Sequence, residues 1–143
     1  MNYLLDTCVL SEFVKKSPNQ NVIQWIEKCD EDTLYLSVLS IGEIQKGIAK
    51  LADVHRKTII QTWLETDLRN RFAERLIPVN EEIAITWGTV QGEAEANGIT
   101  LPTIDGLLSA TALTCNLIIV TRNGKDMITT GVKIFNPWDD ARI

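Results

Sequence analysis

Residues 117–121 read LIIVT, the strongest strand signal in the chain. An unbroken apolar run with no polar alternation suits a strand buried on both faces, as at the centre of a parallel sheet. Upstream, PTIDGLLSATALTC (102–115) reads as a helix after its first residues, and downstream VKIF (132–135) reads as a last short strand before NPWDDARI. The alternation continues toward the N-terminus. NYLL (2–5) is a short buried strand, and TCVLSEFVKK (7–16) a helix with Val9, Leu10, Phe13 and Val14 inward. SPN ends that helix, because the residue before a proline disfavours helical geometry. VIQWIEKC (22–29) is a second short helix, and TLYLSV (33–38) has strand composition. From Ser40 the apolar spacing becomes helical through Ile41, Ile44, Ile48 and Leu51. A long helix follows over 53–73 with Ile60, Trp63, Leu64 and Phe72 inward, then a weak strand in RLIPV. Asn80 caps a helix carrying Ile83, Trp87, Val90 and Ala94, and NG at 97–98 closes it. Strands alternating with helices predict an α/β fold, a parallel β-sheet sandwiched by helices. In such sheets ligands bind outside the carboxyl ends of the strands.

The 143 residues suit one domain over 1–143, and 45% apolar with 23% charged content is that of a folded globular protein. No apolar stretch approaches the roughly 18–20 residues of a membrane helix. The first apolar run breaks at Asp6 with no basic segment before it, so neither a signal peptide nor a membrane is expected, and the cytoplasm is the expected location. Cys8, Cys29 and Cys115 are odd in number, widely spaced and set among apolar neighbours, which predicts reduced, packed thiols. The net charge of −5 argues against wholesale wrapping of nucleic acid. A local basic strip, Lys46, Lys50, His55, Arg56, Lys57, Arg69, Arg71 and Arg75, could still meet phosphates or could be a solvated helix face.

Four acids stand where strands end or helices begin. Asp6 directly follows the first strand, where it either caps the next helix or forms one corner of a site. Glu43 has the S-x-x-E spacing of a capping box with Ser40. Asp105 falls in a first helical turn, with Thr103 as the natural cap. Gly106 is costly there unless something approaches the backbone closely. After the strongest strand comes TRNGKDM, with Thr121, Asn123 and Asp126; an NG turn and a cap explain the last two locally. Each acid thus has a structural reason, but their coincidence at one sheet edge does not follow from those reasons. Two carboxylates about 4 Å apart repel by roughly 4 kcal/mol at an effective dielectric near 20. A cluster of them must take up protons or a cation, and oxygen ligands without nearby His or Cys favour Mg²⁺ or Mn²⁺.

With LLDTCVLSE (4–12), SVLSIGEIQKGI (37–48), TIDGLLSATAL (103–113), LIIVTRNGKDM (117–127) and FNPWD (135–139) in that order, the whole chain resembles PIN-domain toxins of the VapC/FitB type. The resemblance implies an α/β/α fold and a Mg²⁺- or Mn²⁺-dependent ribonuclease, usually a homodimer, leaving 5′-phosphate and 3′-hydroxyl ends. It implies a cognate antitoxin as partner. It also implies Asp6 and Asp105 as metal ligands, Glu43 completing the acid set, and Thr121 as polar support, with Thr7 and Asn123 beside them. Many members carry Asp where this chain has Asn123, so Asp126 is the nearest acid for the fourth position.

The expected chemistry is hydrolysis of an RNA phosphodiester by metal-activated water. An acidic pocket should also attract a cationic side chain, so the antitoxin is expected to insert an Arg or Lys. His55, the only histidine, lies in a polar helical stretch and offers neither a triad nor a zinc site. There is no GxxxxGK[ST] or GxGxxG phosphate loop. The rival of another class is a binding module of the same fold that docks antitoxin or RNA without turnover.

Overall fold

The computed structural model describes residues 1–139. In chain order the elements are β1 Tyr3–Leu5, α1 Thr7–Ser11, α2 Gln20–Lys28, β2 Leu34–Ser37, α3 Val38–Ala49, α4 Val54–Thr62, α5 Arg69–Arg71, β3 Leu76–Ile77, α6 Glu81–Ala96, α7 Thr103–Cys115, β4 Ile118–Val120 and β5 Ile134–Phe135. The five strands form one sheet in the order β3-β2-β1-β4-β5, every pair parallel. The middle strand is therefore β1, with LIIVT beside it. Both are sealed: Leu4, Leu5, Ile119 and Val120 are fully buried, as a strand covered on both faces requires. One layer of core joins Leu5, Leu10, Val22, Leu36 and Phe72, the other Leu4, Leu108, Ala112, Ile119 and Met127. Two helical layers thus clamp the sheet from opposite sides, and the fold class expected from the sequence is the one observed.

The boundaries carry corrections. The helix expected over 53–73 runs from 54 to 71, but residues Trp63–Leu68 widen into a π-helical turn between α4 and α5. That turn keeps Leu64, Leu68 and Phe72 on the core side. Helix α3 begins at Val38, two residues earlier than the apolar spacing suggests. Its cap is Ser37, whose hydroxyl accepts from the Leu39 N–H at 3.0 Å. Ser40 is then an interior residue, fully buried, and its Oγ has no partner in the structure. The capping box between Ser40 and Glu43 does not form. Thr103 is the first residue of α7 rather than its cap, and Pro102 before it offers no side chain to the helix. The expected Asn80 cap does form, accepting from the Ile83 N–H at 2.9 Å, and Gly98 closes α6 at φ +69°. The thiols are less buried than expected: Cys8 and Cys29 are half-buried and Cys115 is exposed.

No helix among the described residues is long and apolar enough to cross a membrane.

Candidate active site

Asp6 leaves the sheet at the carboxyl end of the central strand, where its N–H still bonds the Val120 carbonyl at 3.0 Å. The side chain caps the next helix and also reaches across to the end of β4. Oδ1 accepts from the Thr7 N–H at 2.8 Å and so caps α1, while Oδ2 accepts from the Thr121 hydroxyl at 2.8 Å. Thr121 is fully buried, and its Oγ1 in turn accepts from the Asn123 N–H at 3.1 Å. The chain of bonds locks Asp6 against the end of β4. Thr7 repeats the device toward α3, its hydroxyl donating to Glu43 Oε1 at 2.7 Å. A residue on the first helix thereby orients an acid thirty-six positions away.

Glu43 sits in the second turn of α3, so it reaches the site from within the helix and not from its N-terminus. Asp105 is the third residue of α7 and half-buried. Its carboxyl is pushed up from 3.8 to about 6, first by burial and then by the negative charges of Asp6, Asp126 and Glu43. The charges of three acids on other segments thus bear on Asp105. Asp126 stands exposed in the turn after β4; its carbonyl accepts from the Thr129 hydroxyl at 3.0 Å. Asn123 is exposed and enters the network through its backbone N–H.

Gly106 does have a close neighbour. A Cβ built there would lie 2.5 Å from Gln91 Oε1 and 3.3 Å from Trp87 Nε1, so the glycine lets α6 pack against the turn that carries Asp105. Gly124, four residues after Val120, meets Ile134 of β5 in the same way, its missing Cβ lying 2.6 Å from Ile134 Cγ2.

The donor set suits a hard divalent cation. It consists of carboxylate and hydroxyl oxygens, and one of its acids holds a proton more tightly, first because it is buried and then because of the other acids' charges. Ser109 Oγ, one helical turn beyond Asp105, is buried without a partner. Among the described residues no three His, Cys, Asp or Glu side chains close into a tight cage. Beside Thr7 and Glu43 opens an apolar groove of about 380 Å³ lined by Ile44, Ile48, Leu51, Ile60 and Trp63.

Three neighbours of the site were not singled out from the sequence. Cys8 Sγ lies 3.5 Å from Thr121 Oγ1 and 4.0 Å from Asp6 Oδ2, and burial pushes the thiol up. Its position in the first turn after Asp6 was the available signal. Glu12 is 2% exposed, its carboxylate accepting from the Asn19 N–H at 2.8 Å and from Lys15. Burial opposes that charge, but the Lys15 and Asn19 hydrogen bonds outweigh it and hold the carboxyl below its usual range. Arg122 follows Thr121. Three of the eight residues of the basic strip are committed elsewhere: Arg71 and Arg75 bond Glu31 at 2.8 and 2.9 Å and stack on Phe72, and Arg56 donates to the Val14 carbonyl.

A five-stranded parallel sheet with acids gathered at its carboxyl edge is the architecture of the PIN domain; residues 3–132 match that family, and the chain belongs to it. Two curated relatives align along nearly its whole length. Toxin FitB of Neisseria gonorrhoeae is 31% identical over 137 residues, covering 96% of this chain and 99% of the relative. VapC ribonuclease Y4jK of Sinorhizobium fredii is 31% identical over 138 residues, with 96% and 99% covered. Among solved structures, FitAcB from Neisseria gonorrhoeae superposes with a TM-score of 0.90 at 31% identity, covering 96% of this chain and 99% of that one.

Proposed function

We propose that this chain is a Mg²⁺- or Mn²⁺-dependent endoribonuclease, a single nuclease domain acting as the toxin of a toxin–antitoxin pair in the cytoplasm. The observation that carries the reading is the pair of hydroxyl bonds that hold Asp6 and Glu43 at the sheet's carboxyl edge, from Thr121 and Thr7; the raised Asp105 carboxyl, pushed up by burial and then by Asp6, Asp126 and Glu43, supports it. The relatives named toxin and ribonuclease support the same activity.

Asp6 and Asp105 would hold the ion, with Glu43 completing the set and Asp126 the acid at the open side. When bound, the ion supplies activation of water and charge stabilisation on the phosphodiester. The rest falls to the chain. Thr121 and the Thr7 N–H fix both Asp6 oxygens, so the carboxylate is oriented before substrate arrives. Thr7 occupies Glu43 Oε1, which leaves Oε2 to orient the attacking water and accept its proton. The water oxygen bonds to phosphorus as the 3′ oxygen leaves, giving 5′-phosphate and 3′-hydroxyl ends. No covalent enzyme intermediate is required.

The antitoxin is the partner that this pocket selects. Four carboxylates attract an inserted Arg or Lys, and the apolar groove beside Glu43 gives the same segment a surface to bury. The active toxin is a homodimer on this reading.

The test is RNA cleavage by purified protein with Mg²⁺, Mn²⁺ or EDTA, for wild type, Asp6→Asn and Asp105→Asn. Cleavage that requires the metal and drops at least about a hundredfold in both variants, with folding retained, supports the enzyme. Equal, metal-independent cutting in all three removes it. Normal association with antitoxin and no cleavage under any metal leaves a binding module instead.

A further inference from the structure

The closing segment FNPW (135–138) takes no part in the chemistry above, yet it builds a platform at the site's edge. The Trp138 N–H donates to Asn136 Oδ1 at 2.9 Å, and Asn21 Nδ2 donates to the Trp138 carbonyl at 3.3 Å. The indole packs against the core that includes Leu5, Val9 and Val120. On its open side lies Arg122, with the guanidinium carbon 4.8 Å from the ring centroid.

Arg122 follows Thr121, the residue that holds Asp6, so its backbone is anchored at the acid pocket. Its positive charge acts on Cys8 and Glu12 alike. Among the described residues no carboxylate lies within ion-pair distance of it, whereas Arg71 and Arg75 are both taken by Glu31. Arg122 is exposed. A guanidinium resting on an indole face has its stacking satisfied and its planar N–H edge available for a bidentate anion. The pocket beside it also needs such a cation. A polyanion approaching four carboxylates meets repulsion, and a chain of net charge −5 offers no general attraction.

We infer that Arg122, held on the Trp138 indole, is a phosphate-binding residue that grips the RNA backbone next to the bond to be cut. The inference rests on the ribonuclease reading, and it concerns RNA rather than an acidic side chain of the antitoxin, because the phosphodiester must lie within reach of the acids that Thr121 organises.

The experiment uses Asp105→Asn protein to stop turnover and a labelled single-stranded RNA of mixed sequence, with anisotropy read over a range of salt. Arg122→Ala in that background should weaken binding about tenfold and reduce the logarithmic salt slope by about 0.7, the value for one phosphate contact on a single strand. Arg122→Lys should restore the slope but only part of the affinity. Trp138→Leu should keep the slope and lose affinity; if it does not fold, Arg122→Ala decides alone. Mn²⁺ binding by Arg122→Ala with Asp105 intact should match wild type in electron paramagnetic resonance. Unchanged RNA affinity and slope in Arg122→Ala overturn the inference. So does normal RNA binding with a weakened antitoxin complex, which would assign Arg122 to protein docking. Wild type that neither binds nor cuts RNA removes the ribonuclease reading itself, and the inference falls with it.

Discussion

Asp105→Asn should make the metal-free protein more stable while abolishing its activity. The Asp105 carboxyl is raised from 3.8 to about 6, chiefly by burial and then by Asp6, Asp126 and Glu43. At 1.36 kcal/mol per unit, that shift represents about 3 kcal/mol of strain in the ionised native state. The side chain is half-buried, so solvent screening reduces this to roughly 2 kcal/mol. Between pH 3.8 and about 6 the native state keeps a proton that the unfolded chain has released. Stability from this group is therefore full below the lower value and lost as pH rises through the upper one. Asparagine keeps the shape and removes the charge. In EDTA, the variant should match wild type near pH 4 and exceed it by roughly 2 kcal/mol at pH 7, a melting rise of about 6 °C for a chain of this size. Differential scanning fluorimetry against pH, with and without Mn²⁺, reads it directly, and Mn²⁺ should raise wild type only. A variant less stable than wild type at pH 7, or a difference independent of pH, would refute the shared field.

Thr121→Val should leave the fold intact but cost about 1–3 kcal/mol, because Asp6 Oδ2 and the Asn123 N–H lose a buried partner; urea unfolding measures the loss, and Mn²⁺ affinity should fall with it. Gly124→Ala places a Cβ 2.6 Å from Ile134 Cγ2 and should destabilise by about 1–3 kcal/mol through displacement of β5, readable in the same melts. Glu31 is held at about 2, first by the Arg71 hydrogen bond and then, against burial, by Arg75. Its contribution is present above its ordinary value of 4.5 and fades as pH falls toward 2. With 45% of its side chain exposed, Glu31→Gln should cost only about 1 kcal/mol at pH 7 and almost nothing at pH 2, measured by the pH dependence of urea midpoints.

The sheet was legible because burial on two faces leaves an unmistakable apolar run, and LIIVT and NYLL indeed occupy its middle. Which of the two is central was not legible, since that depends on crossover order. Asp6 and Asp105 could be placed because each directly follows a strand or opens a helix. Glu43 was found for the wrong local reason. A capping spacing with Ser40 drew attention to it, whereas Ser37 caps the helix and Thr7, far away in sequence, orients the acid. Long-range bonds of that kind leave no periodic trace. The same holds for Glu12, a buried carboxylate that Lys15 and the Asn19 N–H satisfy. The basic strip, left open between phosphate contact and a solvated face, shows the converse: sequence gives the charge, but not that Glu31 already pairs with Arg71 and Arg75. The role of FNPW as a seat for Arg122 needed the fold, because residues 122 and 138 meet only through the β4–β5 pairing.

The central claim is that acids distant in the chain converge on one divalent ion, and a Mn²⁺ titration of the metal-free protein followed by electron paramagnetic resonance tests it most directly. Saturable uptake by wild type that disappears in the Asp6→Asn, Asp105→Asn double variant is the expected outcome. Uptake that survives both substitutions, or none by wild type, would mean that these carboxylates never act as a metal centre.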